Sequence, residues 1–306
     1  MSVLSRESEA TKAYLAIGTA MASISFASIF IKWSESTPFV IAAYRLAFTC
    51  AMLFPFLLWT NGFSEIRKFN RKEALLVVLS GVALTLHFEL WIVSLTLTLV
   101  STSVILVTSH PIFVAGVSHF LLKEKVRRTA VVGIIIAFSG VTLISLSDYS
   151  QGADTLLGDL MAFLGGICAG IYFLSGRVAR QSVAVGPYAF SVYGLSALLL
   201  LLSAAIAGDK LLITDGREIT LFLLLALIPT VFGHTMFNYA LKKVPAHIIS
   251  TSVLGEPVGA TILAYLLLPG EVPGPWIIVG GALVVAGLYV VLLKGYKTKD
   301  DFDVVE

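Results

Sequence analysis

Apolar runs long enough to cross a bilayer recur along almost the whole chain. A helical span needs about 20 mostly apolar residues, and ten such windows fit the sequence. They lie at 13–31, 38–59, 73–95, 99–122, 129–147, 156–176, 185–207, 219–241, 246–268 and 275–293. Of the 306 residues, 57% are hydrophobic and only 13% are charged, and the mean hydropathy is +0.92. The sequence therefore predicts an all-α integral membrane protein with ten transmembrane helices.

The loops between these windows differ sharply in positive charge. If both termini are cytoplasmic, 17 of the 21 lysines and arginines lie on the inside, three lie outside, and Arg45 lies within a helix. Cytoplasmic loops of membrane proteins are enriched in these residues. We therefore predict a multi-pass protein of the cell (inner) membrane with both termini in the cytoplasm. The net charge of +2, spread over short clusters, argues against nucleic acid as a partner.

Two apolar windows contain a titratable residue directly before a proline. The segments 106-LVTSHPIFVAGVSHFLLKEK-125 and 253-VLGEPVGATILAYLLLPGE-271 place His110 before Pro111 and Glu256 before Pro257. Proline lacks an amide donor and kinks a helix, so the freed carbonyl groups need neighbours or water. We interpret the two steps as matched helix breaks beside a central polar cavity.

The two segments also indicate that the chain consists of two related halves. One inserted residue brings four positions of each half into register. The aligned pairs are Pro111 with Pro257, Glu124 with Glu271, Gly133 with Gly280, and Gly140 with Gly287. Each half has five windows, an odd number, so the second half begins on the opposite side of the membrane. The sequence thus predicts two inverted five-helix repeats, residues 1–148 and 149–306, an organisation found in many secondary transporters.

The same residues carry a family resemblance. Segments 94–144 and 240–293 each combine a mid-helix proline, a Lys-Glu or Gly-Glu turn, and a final helix with spaced glycines. In this they resemble the two EamA repeats of the drug/metabolite transporter superfamily. The resemblance implies a ten-helix carrier of small metabolites, in a family with many inner-membrane exporters of amino acids and related compounds. One departure is that His110 stands opposite Glu256, so a site on the repeat axis is chemically asymmetric.

Glu256 and His110 are the first candidates for substrate binding. Each lies about 10 residues into its window, roughly 15 Å deep at 1.5 Å per residue, and hence near the membrane midplane. An acidic residue at the centre of a span costs about 2.5–3.5 kcal/mol on insertion scales, which favours a functional reason for Glu256. The alternative for both side chains is a structural bridge between helices.

The third window carries further candidates on two faces of one helix. In 87-HFELWIVSL-95, His87 and Trp91 share a face while Glu89 points about 160° away from each. We predict that Trp91 and Glu89 bind substrate, although the two cannot line one surface. Simple packing is the alternative for Trp91, and for His87 we expect a hydrogen bond between helices.

The eighth and second windows add a polar pair and a cation. His234 and Asn238 lie one turn apart on one face and can reach the same ligand. Asn238 also fits a second role, as a polar contact between helices. Arg45 has no counterpart in the second repeat. We favour a structural role for it, by snorkelling or by pairing with a carboxylate or helix C-terminus, over contact with a substrate carboxylate.

Alternating-access transport of a small polar or zwitterionic metabolite fits the sequence best, with amino acids as the leading class and export as the favoured direction. Carriers of drugs or nucleotide-linked metabolites, a channel and an intramembrane enzyme are the alternatives. The motifs H-E-x-x-H and G-x-S-x-G do not occur, so we predict no enzymatic activity, cofactor or metal. The expected partners are a small-molecule substrate and the lipid bilayer. Proton coupling and facilitated diffusion both fit the titratable residues.

Overall fold

The computed structural model describes residues 3–124, 126–147, 153–272 and 274–291. These ranges form helices joined by short loops, without a β-strand, which confirms the predicted all-α class. The α-helices are α1 (Val3–Ile24), α2 (Ala27–Trp33), α3 (Pro38–Trp59), α4 (Gly62–Ile66), α5 (Arg71–Leu97), α6 (Val100–Val107), α7 (Pro111–Phe120), α8 (Arg128–Ser147), α9 (Ala153–Ala179), α10 (Val185–Ala207), α11 (Gly216–Leu225), α12 (Thr235–Ala240), α13 (Ala246–Ser252), α14 (Glu256–Leu267) and α15 (Pro275–Tyr289). A π-helical segment (Ala226–His234) joins α11 to α12, and a 3-10 turn (Val253–Gly255) joins α13 to α14.

Within the residues that the structure describes, seven helical stretches are long and apolar enough to span a membrane. They are Thr11–Trp33, Pro38–Trp59, Arg71–Leu97, Thr155–Ala179, Val185–Ala207, Gly216–Ala240 and Ala246–Leu267. Arg128–Gly140 and Ile278–Gly287 are apolar but shorter, and the window at 99–122 is divided between α6 and α7. Helix therefore lies in each of the ten predicted windows, while ten complete spans remain a prediction.

The exterior of the helix bundle is apolar. Trp59 is 82% exposed, and Phe120 and Ile206 are each 79% exposed. Such a surface would drive aggregation in water and suits contact with lipid. A cavity of about 680 Å³ between α14 and α15 belongs to this exterior, because exposed side chains such as Ile262, Leu266 and Ile278 line it.

Four of the predicted spans are interrupted rather than continuous. A turn at Ser25 and Phe26 separates α1 from α2, and the α6 helix ends at Val107 before α7 restarts at Pro111. The π segment contains Pro229, and the 3-10 turn comes directly before Glu256. Proline has no amide donor and clashes with the carbonyl group four residues earlier, which explains interruptions close to these prolines.

The helices pack largely in pairs. Helix α5 lies along α9, α3 along α10, and α1 along the π segment and α12. Helix α8 lies along α15 so closely that their backbones touch. A Cβ atom added to Gly133 would lie 2.7 Å from the carbonyl oxygen of Gly287, and one added to Gly140 would overlap the carbonyl oxygen of Gly280. Small residues permit this close approach of helices in membranes.

We expect Gly287→Ala to destabilise the protein, because the new Cβ atom would lie 2.6 Å from the backbone nitrogen of Ala137. Overpacking of this kind costs about 1–3 kcal/mol. Gly281→Ala is the matched control on the same helix, since nothing lies within 4 Å of its Cβ position. Thermal unfolding in detergent should show a lower Tm for Gly287→Ala alone. Equal Tm values for the two variants would contradict the close contact between α8 and α15.

Candidate functional site

The helix interruptions meet at one buried cavity. Its volume is about 30 Å³, which is room for a water molecule or two and too little for an amino acid. The lining residues are Ile24, Ala27, Arg45, His87, Trp91, Val107, Thr108, His110, Ala169, Tyr172, Phe173, His234, Phe237, Val253 and Glu256. Each of the four interruptions contributes residues to this wall. Backbone that departs from α-helix at membrane depth is tolerated where it lines such a cavity.

Glu256 is the acidic group of the cavity. It begins α14 directly after the 3-10 turn and is 7% exposed. Among the described residues, none donates a hydrogen bond to its carboxylate, and no salt bridge joins it to Arg45. A buried carboxylate in this position is costly unless a proton, water or a cationic group satisfies it.

Arg45 is the basic group, and its side chain is fully buried. Its Nε donates a 2.7 Å hydrogen bond to Oγ1 of Thr230, in the π segment, and its guanidinium carbon lies 4.4 Å from the centre of the Phe88 ring. The Nη1 and Nη2 atoms have no hydrogen-bond partner in the part of the chain that the structure describes. Arg45 does not snorkel, because it lies deep in the bundle and faces the cavity. No carboxylate of the described residues forms a salt bridge with it.

His87 and Trp91 form one wall of the cavity. Their rings stack with centroids 5.9 Å apart and planes within 8°. His87 Nδ1 also shares a 3.0 Å hydrogen bond with the carbonyl oxygen of Gly165, which is the predicted contact between helices. The indole Nε1 of Trp91 has no hydrogen-bond partner among the described residues.

His234 and His110 occupy other parts of the wall. The His234 ring lies 5.6 Å from Phe88 and 6.1 Å from Tyr172, and its Nδ1 is without a partner in the described chain. His110 is 4% exposed, and its Nδ1 shares a 2.7 Å hydrogen bond with Oγ of Ser250. That bond ties the break between α6 and α7 to helix α13.

Two of the predicted site residues do not line the cavity. Asn238 lies behind the wall, where its Nδ2 donates hydrogen bonds to the hydroxyl oxygens of Tyr172 at 2.6 Å and Tyr193 at 3.0 Å. Glu89 points to another face of α5, as the helical spacing requires, and its Oε1 is buried without a hydrogen-bond partner among the described residues. Asn238 therefore positions Tyr172 instead of contacting the cavity itself.

Two glutamates, Glu124 and Glu271, reach across the molecule to the starts of broken helices. Glu124 Oε2 accepts a 3.2 Å hydrogen bond from the Ala246 amide that begins α13, and Glu271 Oε1 accepts one of 3.4 Å from the Val100 amide that begins α6. Glu124 also forms a 2.7 Å ion pair with Arg177 and lies 3.8 Å from His247. We name the Glu124, Arg177 and Ala246 contact the first latch, and the Glu271 and Val100 contact the second latch.

The first latch is the more strongly held. Burial raises the pKa of the Glu124 carboxyl, but the neighbouring His247 imidazole and Arg177 guanidinium outweigh burial and hold that pKa below its usual range. Because the pKa is lowered in the folded protein, the stabilisation is present above the usual carboxyl pKa and is lost as the pH falls through the lowered value. The latch is thus ionised at neutral pH.

Comparison with known proteins agrees with this architecture. The family model described as the EamA-like transporter family matches residues 11–146 and again residues 156–293. The chain belongs to the EamA-like transporter family. Its two matched segments cover most of the sequence, and each contains one of the two latch glutamates and at least one break near a proline.

Relatives of this EamA-like transporter carry transporter names. An "uncharacterized transporter" of Archaeoglobus fulgidus is 25% identical over 281 residues, which are 89% of this chain and 94% of that protein. A "probable terminal-alkyne amino-acid exporter" of Streptantibioticus cattleyicolor is 26% identical, over 62% of this chain and 63% of its own. A solved crystal structure superimposes with a TM-score of 0.74 at 19% identity, covering 93% of this chain and 98% of the other, and so shares the fold.

We expect Ser250→Ala to destabilise the protein, because it leaves a buried His110 nitrogen without its partner. An unsatisfied buried polar group costs about 1–3 kcal/mol. Ser252→Ala is the matched control on α13, since Ser252 is equally buried and its Oγ donates only within its own helix, to Ile248. Thermal unfolding should show the larger loss for Ser250→Ala, and a loss as large in the control would argue against the His110 contact.

Proposed function

We propose that this EamA-like transporter carries small polar metabolites, with amino acids as the leading class, across the inner membrane by alternating access. One observation carries the proposal: the breaks of both repeats converge on a buried cavity that holds a carboxylate, a guanidinium and imidazoles. Binding sites near midplane at broken helices are typical of secondary transporters built from inverted repeats.

Three sets of contacts support ten spans in two inverted repeats, residues 1–148 and 149–306. The first is the contact between α8 and α15, where Gly133 faces Gly287 and Gly140 faces Gly280. Since the alignment equates Gly133 with Gly280 and Gly140 with Gly287, each contact maps onto the other when the repeats are exchanged. A two-fold axis between the repeats produces this reciprocity.

The second set is the pair of latches. In the aligned halves Glu124 corresponds to Glu271. Val100 likewise corresponds to Ala246, because 146 positions separate them, the same offset as between Pro111 and Pro257. The third set joins helix ends. Ser36 Oγ donates to Glu218 at 2.6 Å, and Ser182 Oγ donates to Glu73 at 2.7 Å. The two serines lie 146 positions apart in the sequence, and the two glutamates lie 145 positions apart. Contacts that recur at offsets of 145 to 147 positions are those that related halves would share.

The positive charges of the loops place both termini, and with them the first latch, on the cytoplasmic side in the proposed topology. The second latch then lies on the outer side. Because the cavity is too small for an amino acid, a transport cycle must widen it. Each latch joins a loop of one repeat to a broken helix of the other, so opening a latch would let the repeats separate on that side.

We propose that Glu256 binds the ammonium group of the substrate, while His110, Trp91 and His234 contact the remainder. The amino-acid exporter among the relatives supports this substrate class. Asn238 would act through Tyr172. Glu89 is left outside this set by its position, which makes it a useful control.

We expect Glu256→Gln to reduce amino-acid exchange at least tenfold, because a charge-assisted hydrogen bond contributes about 1.5–3 kcal/mol. The measurement is counterflow in proteoliposomes at equal pH on both sides. The loaded panel comprises amino acids, nucleotide sugars and cationic drugs. Glu89→Gln removes a carboxylate that also lies within a predicted span but outside the cavity, and it should retain exchange. If the two variants lose exchange equally, or if only nucleotide sugars or drugs exchange, the proposed amino-acid site is wrong.

We expect Glu124→Gln to loosen the cytoplasmic side, because it removes the charge that holds Arg177 and weakens the bond to the Ala246 amide. Hydrogen–deuterium exchange of the segment 244–250 should become several-fold faster. Glu271→Gln is the counterpart in the other repeat and should accelerate exchange at 98–104 instead. Faster exchange in both segments from either variant would show general destabilisation and refute the latches.

A further inference from the structure

Arg45 differs from a buried arginine with a structural role. Arg180 provides the comparison within this chain: it is 3% exposed, its Nε donates to the carbonyl oxygen of Asn238 at 2.9 Å, and its Nη1 donates to that of Val183. Arg45 is fully buried, yet only its Nε is engaged, and both Nη atoms are without a partner in the described chain. Since a guanidinium cannot lose its charge in a protein, these donors need an acceptor.

The surroundings of Arg45 hold it in position for such an acceptor. Thr230 fixes the Nε, and the Phe88 ring supports the guanidinium at 4.4 Å. Thr230 is itself fully buried and donates to the Leu225 carbonyl oxygen at 2.8 Å. A guanidinium held by its Nε leaves two parallel donors directed away from the chain, an arrangement that binds carboxylates in a bidentate manner.

Glu256 lines the same cavity without pairing with Arg45. Opposite charges that share a buried cavity attract strongly, and a protein that needed them only for stability would join them directly. A ligand with an anionic and a cationic group can satisfy both at once. An α-amino acid has these two groups on one carbon atom, and the apolar faces of Trp91 and Phe173 remain for its side chain.

We infer that Arg45 is the carboxylate-binding residue of the transported solute, and that the solute class is α-amino acids with apolar side chains. This inference rests on the proposed function and adds a specificity determinant to it. Arg45 selects for the carboxylate, while Glu256 selects for the ammonium group. Amines without a carboxylate are therefore rejected, because they leave the guanidinium donors unpaired.

The test compares three solutes with one carbon skeleton: L-leucine, its decarboxylated amine isopentylamine, and its deaminated acid 4-methylpentanoate. Binding is measured from the rise in Tm of the full-length protein in detergent as the concentration of each solute is increased. Inhibition of leucine counterflow in proteoliposomes is the second readout. For the wild type we expect leucine to bind at least tenfold more tightly than isopentylamine.

Arg45→Gln should lower the affinity for leucine and for 4-methylpentanoate by about 10- to 100-fold, the loss expected for hydrogen bonds to a charged group. Its affinity for isopentylamine should not fall. Arg45→Lys keeps the positive charge but lacks the planar guanidinium group that binds a carboxylate with two hydrogen bonds. It should recover part of the preference for leucine over isopentylamine, and it tests the inference even if Arg45→Gln does not fold. Arg180→Lys is the control, which should lose stability and keep the wild-type preference for leucine.

The outcomes separate this inference from the proposed function. Two outcomes would show that the protein is a carrier but that Arg45 does not bind the carboxylate. In one, the wild type exchanges leucine but binds isopentylamine as tightly as leucine. In the other, both Arg45 variants keep the wild-type ratio of leucine affinity to isopentylamine affinity. If other solutes of the counterflow panel exchange while leucine and 4-methylpentanoate neither bind nor inhibit, the solute class is wrong and transport stands. If nothing exchanges, both the inference and the proposed function are overturned.

Discussion

The requirement that every buried polar group find a partner inside the bilayer governs this structure. Hydrocarbon offers no hydrogen bonds, so backbone can depart from helix only where protein or a cavity satisfies it. In this chain four departures, at the turn between α1 and α2, the break before Pro111, the π segment and the 3-10 turn, surround one cavity. The same requirement makes Arg45 and Glu256 indicators of function. In the described part of the chain both Nη atoms of Arg45 are without a hydrogen-bond partner, and the Glu256 carboxylate accepts no hydrogen bond.

The helix windows and the loop charges could be read from the sequence because they depend on local composition alone. A run of about 20 apolar residues has few structural solutions, and helices lie in all ten predicted windows. The positions of interruptions were only partly accessible. Pro111 and Pro257 indicate two of them, and Pro229 is a local signal within the π segment. The turn at Ser25 and Phe26 has no proline that would indicate it.

Individual site residues show where sequence reasoning stops. Helical spacing separated Glu89 from His87 and Trp91 correctly, because direction around a helix is a local property. It also groups His234 with Asn238, which lies one helical turn further along. Asn238 lies behind the cavity wall, where it donates hydrogen bonds to the hydroxyl groups of Tyr172 and Tyr193. For Arg45 the sequence favours a structural role, and it does not reveal the contacts from α5 and the π segment that hold Arg45 at the cavity. Its lack of a counterpart in the second repeat was the available signal.

The glycine contacts between α8 and α15 are reciprocal, since Gly133 meets Gly287 and Gly140 meets Gly280. A contact that maps onto itself when two halves are exchanged is the kind that forms between identical subunits related by a two-fold axis. In the proposed arrangement of two inverted repeats, each half carries its own copy of the surface that joins it to the other, as each subunit of a two-fold homodimer does. In such a dimer every substitution appears twice. Two halves joined in one chain can differ at corresponding positions, and the proposed repeats do so where His110 stands opposite Glu256.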